Sequence, residues 1–136
     1  MTVDEARFLL DRSVGGKLLI ARLRGAGWVA RTLAEEYGDE RAQRMPDEEW
    51  IAEGTSSGYV LLAKDHRVAT RPLEAQAIYV HDARVITFAR GELTAAEMGD
   101  LCLRHERAIH RLAQVQPPFV MALSESGLRR KRLNVV

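Results

Sequence analysis

Two uninterrupted apolar runs constrain this chain most: Phe8-Leu9-Leu10, which ends at Asp11, and Tyr59-Val60-Leu61-Leu62-Ala63, followed two residues later by Asp65. Neither run alternates with polar residues, so neither fits a strand with one wet face. Short continuous runs of this kind read as strands covered on both sides, the pattern of parallel sheets packed between helices. Between them, Leu18, Leu19, Ala21, Leu23 and Ala26 recur near helical spacing, with Gly15 and Gly16 before and Gly25 and Gly27 after as turn and stop. Residues 28–33 then resume as a strand. Strand, helix and strand in this order form a β-α-β unit, whose strands lie parallel in one sheet.

The same alternation continues downstream. Pro46 suits a first helical position, and Asp47, Glu48 and Glu49 complement the dipole at the start of a helix expected from Asp47 to about Thr55. Residues 72–77 read as a short helix and 83–88 as a fourth strand. Thr94 and Glu97 have capping-box spacing and open an amphipathic helix expected to run to about Ala113, with Met98, Leu101, Leu103, Ile109 and Leu112 as its apolar positions. Pro117 and Pro118 end it, and residues 119–123 form the last expected strand. Neither repeats nor linkers interrupt the 136 residues, which therefore read as a single domain, 1–136, with a basic carboxyl-terminal segment at 127–133.

Charge matters here by position. Lys and Arg number 20 and Asp and Glu 19, a net of +1 that excludes a polycation or an acidic tail. Residues 35–53, however, hold eight acids against two bases, whereas residues 127–133 hold four bases and no acid. A cation-binding region and an anion-binding region thus cancel in the total. The one cysteine, Cys102, allows neither an internal disulfide nor a CxxC zinc site, which points to a reducing cytoplasm. The amino terminus has no signal-peptide pattern, and no apolar stretch is long enough for a membrane helix, so no membrane partner is expected.

In an open parallel sheet, ligands bind beyond the carboxyl ends of the strands, where the strand order reverses. Asp11 and Asp65 are expected at two such ends, and Asp47 opens a helix beside them. Three converging carboxylates repel unless cations lie between them, and hard oxygen donors select Mg²⁺ or Mn²⁺. The chemistry this suggests is metal-assisted phosphodiester hydrolysis. Each acid also has a structural role open to it: Asp11 accepting amides in the following turn, Asp47 capping a helix.

At these residues the chain resembles the PIN-like domains, in particular VapC-type toxin ribonucleases. The resemblance rests on Phe-Leu-Leu-Asp-Arg at 8–12, Pro-Asp-Glu-Glu-Trp-Ile at 46–51 and Val-Leu-Leu-Ala-Lys-Asp at 60–65, and it extends in order over essentially the whole chain. It implies a three-layer α/β/α fold with a central, mainly parallel sheet. It also implies Mg²⁺ or Mn²⁺ held by Asp11, Asp47 and Asp65, with Glu48 replacing or assisting Asp47, an RNA substrate and a cognate antitoxin. Arg12 and Lys64, beside the two strand-end acids, and Arg129, Arg130, Lys131 and Arg132 are candidate RNA-phosphate contacts.

The chain departs from the family pattern after Asp65 and after Phe88, where His66-Arg67 and Ala89-Arg90 stand in place of further acids. Asp82 and Asp100 are the available substitutes. That departure keeps a second reading open: a catalytically degenerate module that binds RNA or protein. A DNA structure-specific nuclease is a third, disfavoured by the short chain. The long helix and the acid-rich stretch offer surfaces for a homodimer or an antitoxin.

Other reactive residues read as structural. Glu35, Glu36, Asp39 and Glu40 fit a solvated face, and His66 a surface turn. His105 and His110 are five apart and diverge on a helix. Ser124 and Ser126 lack a GxSxG context, Cys102 falls in the apolar helix pattern, and Trp28 and Trp50 fit the core.

Overall fold

The structure is a computed structural model that describes residues 6–12 and 14–134, with Asp65 and His66 described for their backbone alone. Six strands form one sheet in the order β2-β1-β3-β4-β5-β6: β1 (Arg7–Leu10), β2 (Val29–Thr32), β3 (Val60–Asp65), β4 (Arg84–Phe88), β5 (Phe119–Ser124) and β6 (Gly127–Lys131). The first five are mutually parallel where they pair, and β6 runs antiparallel to β5. Helix α1 (Gly16–Gly25) joins β1 to β2. The helices α2 (Leu33–Tyr37), α3 (Asp39–Arg44) and α4 (Asp47–Ser56) then carry the chain back across to β3. The order therefore reverses between β1 and β3.

Strand alternation sorts the core into two layers, as a sheet covered on both faces requires. Phe8, Leu10, Leu62, Ile86, Phe88 and Met121 project to one side, against Leu19 and Leu23 of α1 and against Met98 and Cys102 of α6 (Ala95–Arg104). Leu9, Leu61, Val85 and Val120 project to the other, against Trp50 and Ile51 of α4 and Ile78 of α5 (Pro72–His81). The result is the expected three-layer α/β/α arrangement. Helix α4 lies close to the sheet at Gly54, where an added Cβ would come within 2.8 Å of both Leu9 and Leu61.

Three segments depart from or add to the expectations. The acid-rich segment 33–44 folds as two short helices, the first opened by a capping box between Thr32 and Glu35. The helix from the Thr94 capping box ends at Arg104 rather than near Ala113. His105 leaves helical geometry (φ −111°, ψ 23°), its Nε2 lies 3.0 Å from the Glu125 carbonyl, and α7 (Glu106–Arg111) continues on a new course. Apolar positions persist on both sides of that break, so periodicity reads through it.

The third is the basic segment, for which no strand was expected and which forms an edge strand. Gly127, at φ +115°, closes a tight hairpin with β5, and Leu128 opposite Leu123 is the one apolar side chain of β6 and packs on the core. With its other side chains basic or absent, β6 has no apolar alternation to announce it. Charge on an edge strand also discourages pairing with another sheet.

Candidate active site at the carboxyl edge of the sheet

Asp11 leaves the end of β1 with both backbone groups committed: its amide donates to the Leu62 carbonyl of β3 at 2.9 Å, and its carbonyl accepts from the Val14 amide at 3.0 Å. The half-exposed residue lines a cleft of about 600 Å³ between α1 and the α2–α3 pair, together with Arg12, Lys17, Glu35 and Asp39. Asp65 ends β3, the strand on the other side of the reversal. Its Cα pairs with that of Phe88 after a register shift that follows Leu62. Its side chain lies outside the described residues, as does that of His66.

Asp47 opens α4 and is half-buried. Its Oδ1 accepts the indole N–H of the buried Trp50 at 3.0 Å, one helical turn on, so the carboxylate is held in a fixed orientation with Oδ2 left without a hydrogen bond among the described residues. A single side chain ties this helix start to the end of β1. Arg12 Nη1 donates to the carbonyls of Ala42 at 2.7 Å, Gln43 at 3.1 Å and Met45 at 3.3 Å, the segment that leads into Asp47. Arg12, a candidate phosphate contact by its place beside Asp11, is thus engaged by backbone acceptors. Glu48 and Lys64 are half-buried beside their respective candidate acids, and neither forms an ion pair among the described residues.

Folding brings two further acids to Asp11 that the sequence pattern assigned to a solvated face. Glu35 pairs with Arg24 and completes the α2 capping box. Those hydrogen bonds, first to Arg24 and then to the Thr32 amide, hold its carboxyl below the usual carboxylate range. Asp39 lines the same cleft and has no ion pair among the described residues. No local signal marks it, since α3 meets the end of β1 only in the folded chain. Of the substitutes offered by sequence, Asp82 caps α5 in left-handed geometry two residues before β4, at the opposite edge of the sheet, whereas Asp100 pairs with Arg22 at 2.6 Å and lines a separate cavity with Ala89 and Ser124 at the ends of β4 and β5.

The donor chemistry suits a hard divalent cation: carboxylates at two strand ends and one helix start, the last with one oxygen fixed and one open. Among the described residues no three His, Cys, Asp or Glu side chains converge closely enough to hold an ion. A three-acid set therefore needs the Asp65 carboxylate. Nucleophilic alternatives find no support. Cys102 is buried, and burial pushes its thiol up to about 12. His110 Nδ1 lies 2.8 Å from the Glu106 carbonyl while its ring packs edge-on against Phe8 and Trp28.

The basic residues of β6 separate by strand alternation. Arg129 and Lys131, opposite Ala122 and Val120, share the face of the α4–α5 layer. Arg130, opposite Met121, lies on the other face, over the Phe119 ring at 5.6 Å. The large apolar side chains left exposed on a helix after β3 are Leu73, Tyr79 and Val80 of α5, not residues of the Thr94 helix. No helix among the described residues is long and apolar enough to cross a membrane.

Comparison with known proteins agrees with this architecture. The model of the PIN like domain family matches residues 6–90, which include β1 to β4 and all three candidate acids. A protein of Mycobacterium tuberculosis (strain ATCC 25618 / H37Rv) that bears the name "Putative ribonuclease VapC45" is 27% identical over 130 residues, 96% of this chain and 94% of its own length. No solved structure matches the chain significantly.

Proposed function

Because the chain belongs to the PIN-like domain family, we propose that it is a Mg²⁺- or Mn²⁺-dependent endoribonuclease that hydrolyses RNA phosphodiester bonds, with Asp11, Asp47 and Asp65 as its metal-holding residues. The observation that carries this reading is the convergence of backbone: Asp11 and Asp65 end the two strands flanking the reversal of strand order, and Arg12 clamps the approach to Asp47 against the first of them. A divalent cation bound there supplies a water of lowered pKa and neutralises charge on the phosphate. The chain's own part is to hold the cation and orient the scissile phosphate. Asp47 presents Oδ2 while Trp50 fixes Oδ1, and Asp11 stands at the rim of a cleft open to a strand of RNA. Glu48 lies on the same helix turn to assist Asp47, and Lys64 stands next to Asp65 to meet phosphate.

The name of the mycobacterial relative supports placing this enzyme among VapC-type ribonucleases, and with that placement go a cognate antitoxin and a cytoplasmic setting, while a homodimer is a further partner open to it. The test is cleavage of a labelled single-stranded RNA with Mn²⁺ and then with excess EDTA, beside a DNA of the same sequence. Cutting of RNA that EDTA abolishes, and that Asp11→Asn lowers by about 100-fold or more with the fold intact, is the expected result. Full activity in Asp11→Asn overturns the assignment. A second reading, an RNA- or protein-binding module without cleavage, draws on His66-Arg67 and Ala89-Arg90 standing where the family pattern has further acids. RNA binding without EDTA-sensitive cutting favours it.

A further inference from the structure

A second concavity, of about 340 Å³, opens at the carboxyl ends of β4 and β5 and extends along β6 to Lys131. One wall begins at Ala89, the residue after Phe88, whose Cα pairs with Asp65. The other is β6, with Arg129 and Lys131, and between them lie the hydroxyls of Ser124 and Ser126, 3.0 Å from each other. Two strand spacings, about 10 Å, thus separate these cations from the line of β4. No acid lines the groove, whereas the Asp11 cleft mixes Asp11, Glu35 and Asp39 with Arg12, Lys17 and Arg24.

The cations of the groove also differ from six arginines elsewhere on the surface. Arg22, Arg24, Arg31, Arg41, Arg44 and Arg90 all pair with carboxylates, while neither Arg129 nor Lys131 has an ion pair among the described residues. Cations left unneutralised in an acid-free groove with hydroxyl donors suit phosphodiester oxygens.

We propose that Arg129 and Lys131, with Ser124 and Ser126 between them and β4, form a phosphate-binding groove that carries the RNA strand on from the carboxylate site. Arg130, on the opposite face and seated over Phe119, takes no part. The groove reads out phosphate and not base identity, so its contribution is independent of RNA sequence and falls with salt. This rests on the proposed ribonuclease reading, but binding and cutting are separable.

The experiment measures fluorescence anisotropy of a labelled single-stranded RNA in EDTA over a salt series, with wild type, the double variant Arg129→Gln/Lys131→Gln, and Arg130→Gln. The double variant is expected to bind about tenfold or more weakly and to lower the slope of log Kd against log salt by about 1.4, the share of two phosphate contacts to a single strand. Arg130→Gln is expected to stay within about twofold of wild type. The single variants replace the double one if its circular dichroism shows lost structure. Unchanged binding in the double variant, or an equal loss in Arg130→Gln, overturns the groove, and EDTA-sensitive cleavage by wild type in that case leaves the ribonuclease reading standing. Groove-dependent binding without cleavage supports the groove and overturns the ribonuclease reading instead. Tight binding of polyglutamate in place of RNA overturns the groove in favour of an acidic protein partner.

Discussion

Arg12 Nη1 and the Ala42 carbonyl, 2.7 Å apart, join the end of β1 to the segment that delivers α4, thirty residues later in the chain. Two more carbonyls, of Gln43 and Met45, share the same nitrogen. A charged donor to neutral carbonyls is among the stronger hydrogen bonds, about 1.5–3 kcal/mol. Arg12→Ala is therefore expected to destabilise the protein by about that amount in urea unfolding and to speed amide exchange across residues 42–47. Mn²⁺ affinity, read by calorimetry, should fall with it. Arg12→Lys should recover part of each, since an ammonium keeps the charge and the donors but is more strongly hydrated than a guanidinium. Unchanged exchange in 42–47 would show that the clamp does not hold the loop.

Trp50 and Asp47 offer a finer test. Trp50→Phe keeps most of the buried ring but removes the N–H that fixes Asp47 Oδ1. A lost hydrogen bond and a smaller side chain together should cost about 1–3 kcal/mol of stability. Freed of its orienting partner, Asp47 should bind Mn²⁺ about 10-fold more weakly, as outer-shell losses at metal sites do. Calorimetric titration with Mn²⁺ checks this directly, and equal affinity would remove Asp47 from the ligand set.

Two capping-box glutamates set an acid limit on stability. Glu35, through Arg24 and the Thr32 amide, and Glu97, through the Thr94 amide and hydroxyl, both titrate below their ordinary 4.5 in the folded chain. A depressed carboxyl stabilises the fold above its unfolded pKa, and that stabilisation disappears as pH falls through the folded value. Urea midpoints should hold from neutrality to about pH 5 and then drop. Glu35→Gln should flatten part of that drop while costing little more than its cap near neutrality, since Glu35 is an exposed residue.

Cys102 gives an accessibility test of the α6 packing. A fully buried thiol pushed up to about 12 carries almost no thiolate near neutrality. Ellman's reagent should leave it unmodified in the native protein and react promptly in urea. Prompt native reaction would mean that α6 opens readily from the sheet.

Much of this was legible in local sequence for a physical reason. Strands covered on both faces must be continuously apolar, so 8–10 and 60–63 announce themselves, and the Thr94 and Asp47 helix starts follow from caps and dipoles. Asp11 and Asp65 were legible as strand-end acids because the apolar runs stop beside them. β6 was not, because an edge strand needs only Leu128 to dock it and is otherwise free to be basic. The break at His105 was hidden because periodicity continues beyond it.

Sequence by itself determined the parallel sheet, the order of its elements and which acids stand at strand ends, since all three depend on neighbours within a few residues. Only the tertiary structure decided that Arg12 is held by the loop before Asp47, that Asp39 meets Asp11 in one cleft, and that the basic segment divides between two faces of the sheet. Those are contacts between segments tens of residues apart, set by how a central sheet gathers its connections, and no local periodicity encodes them.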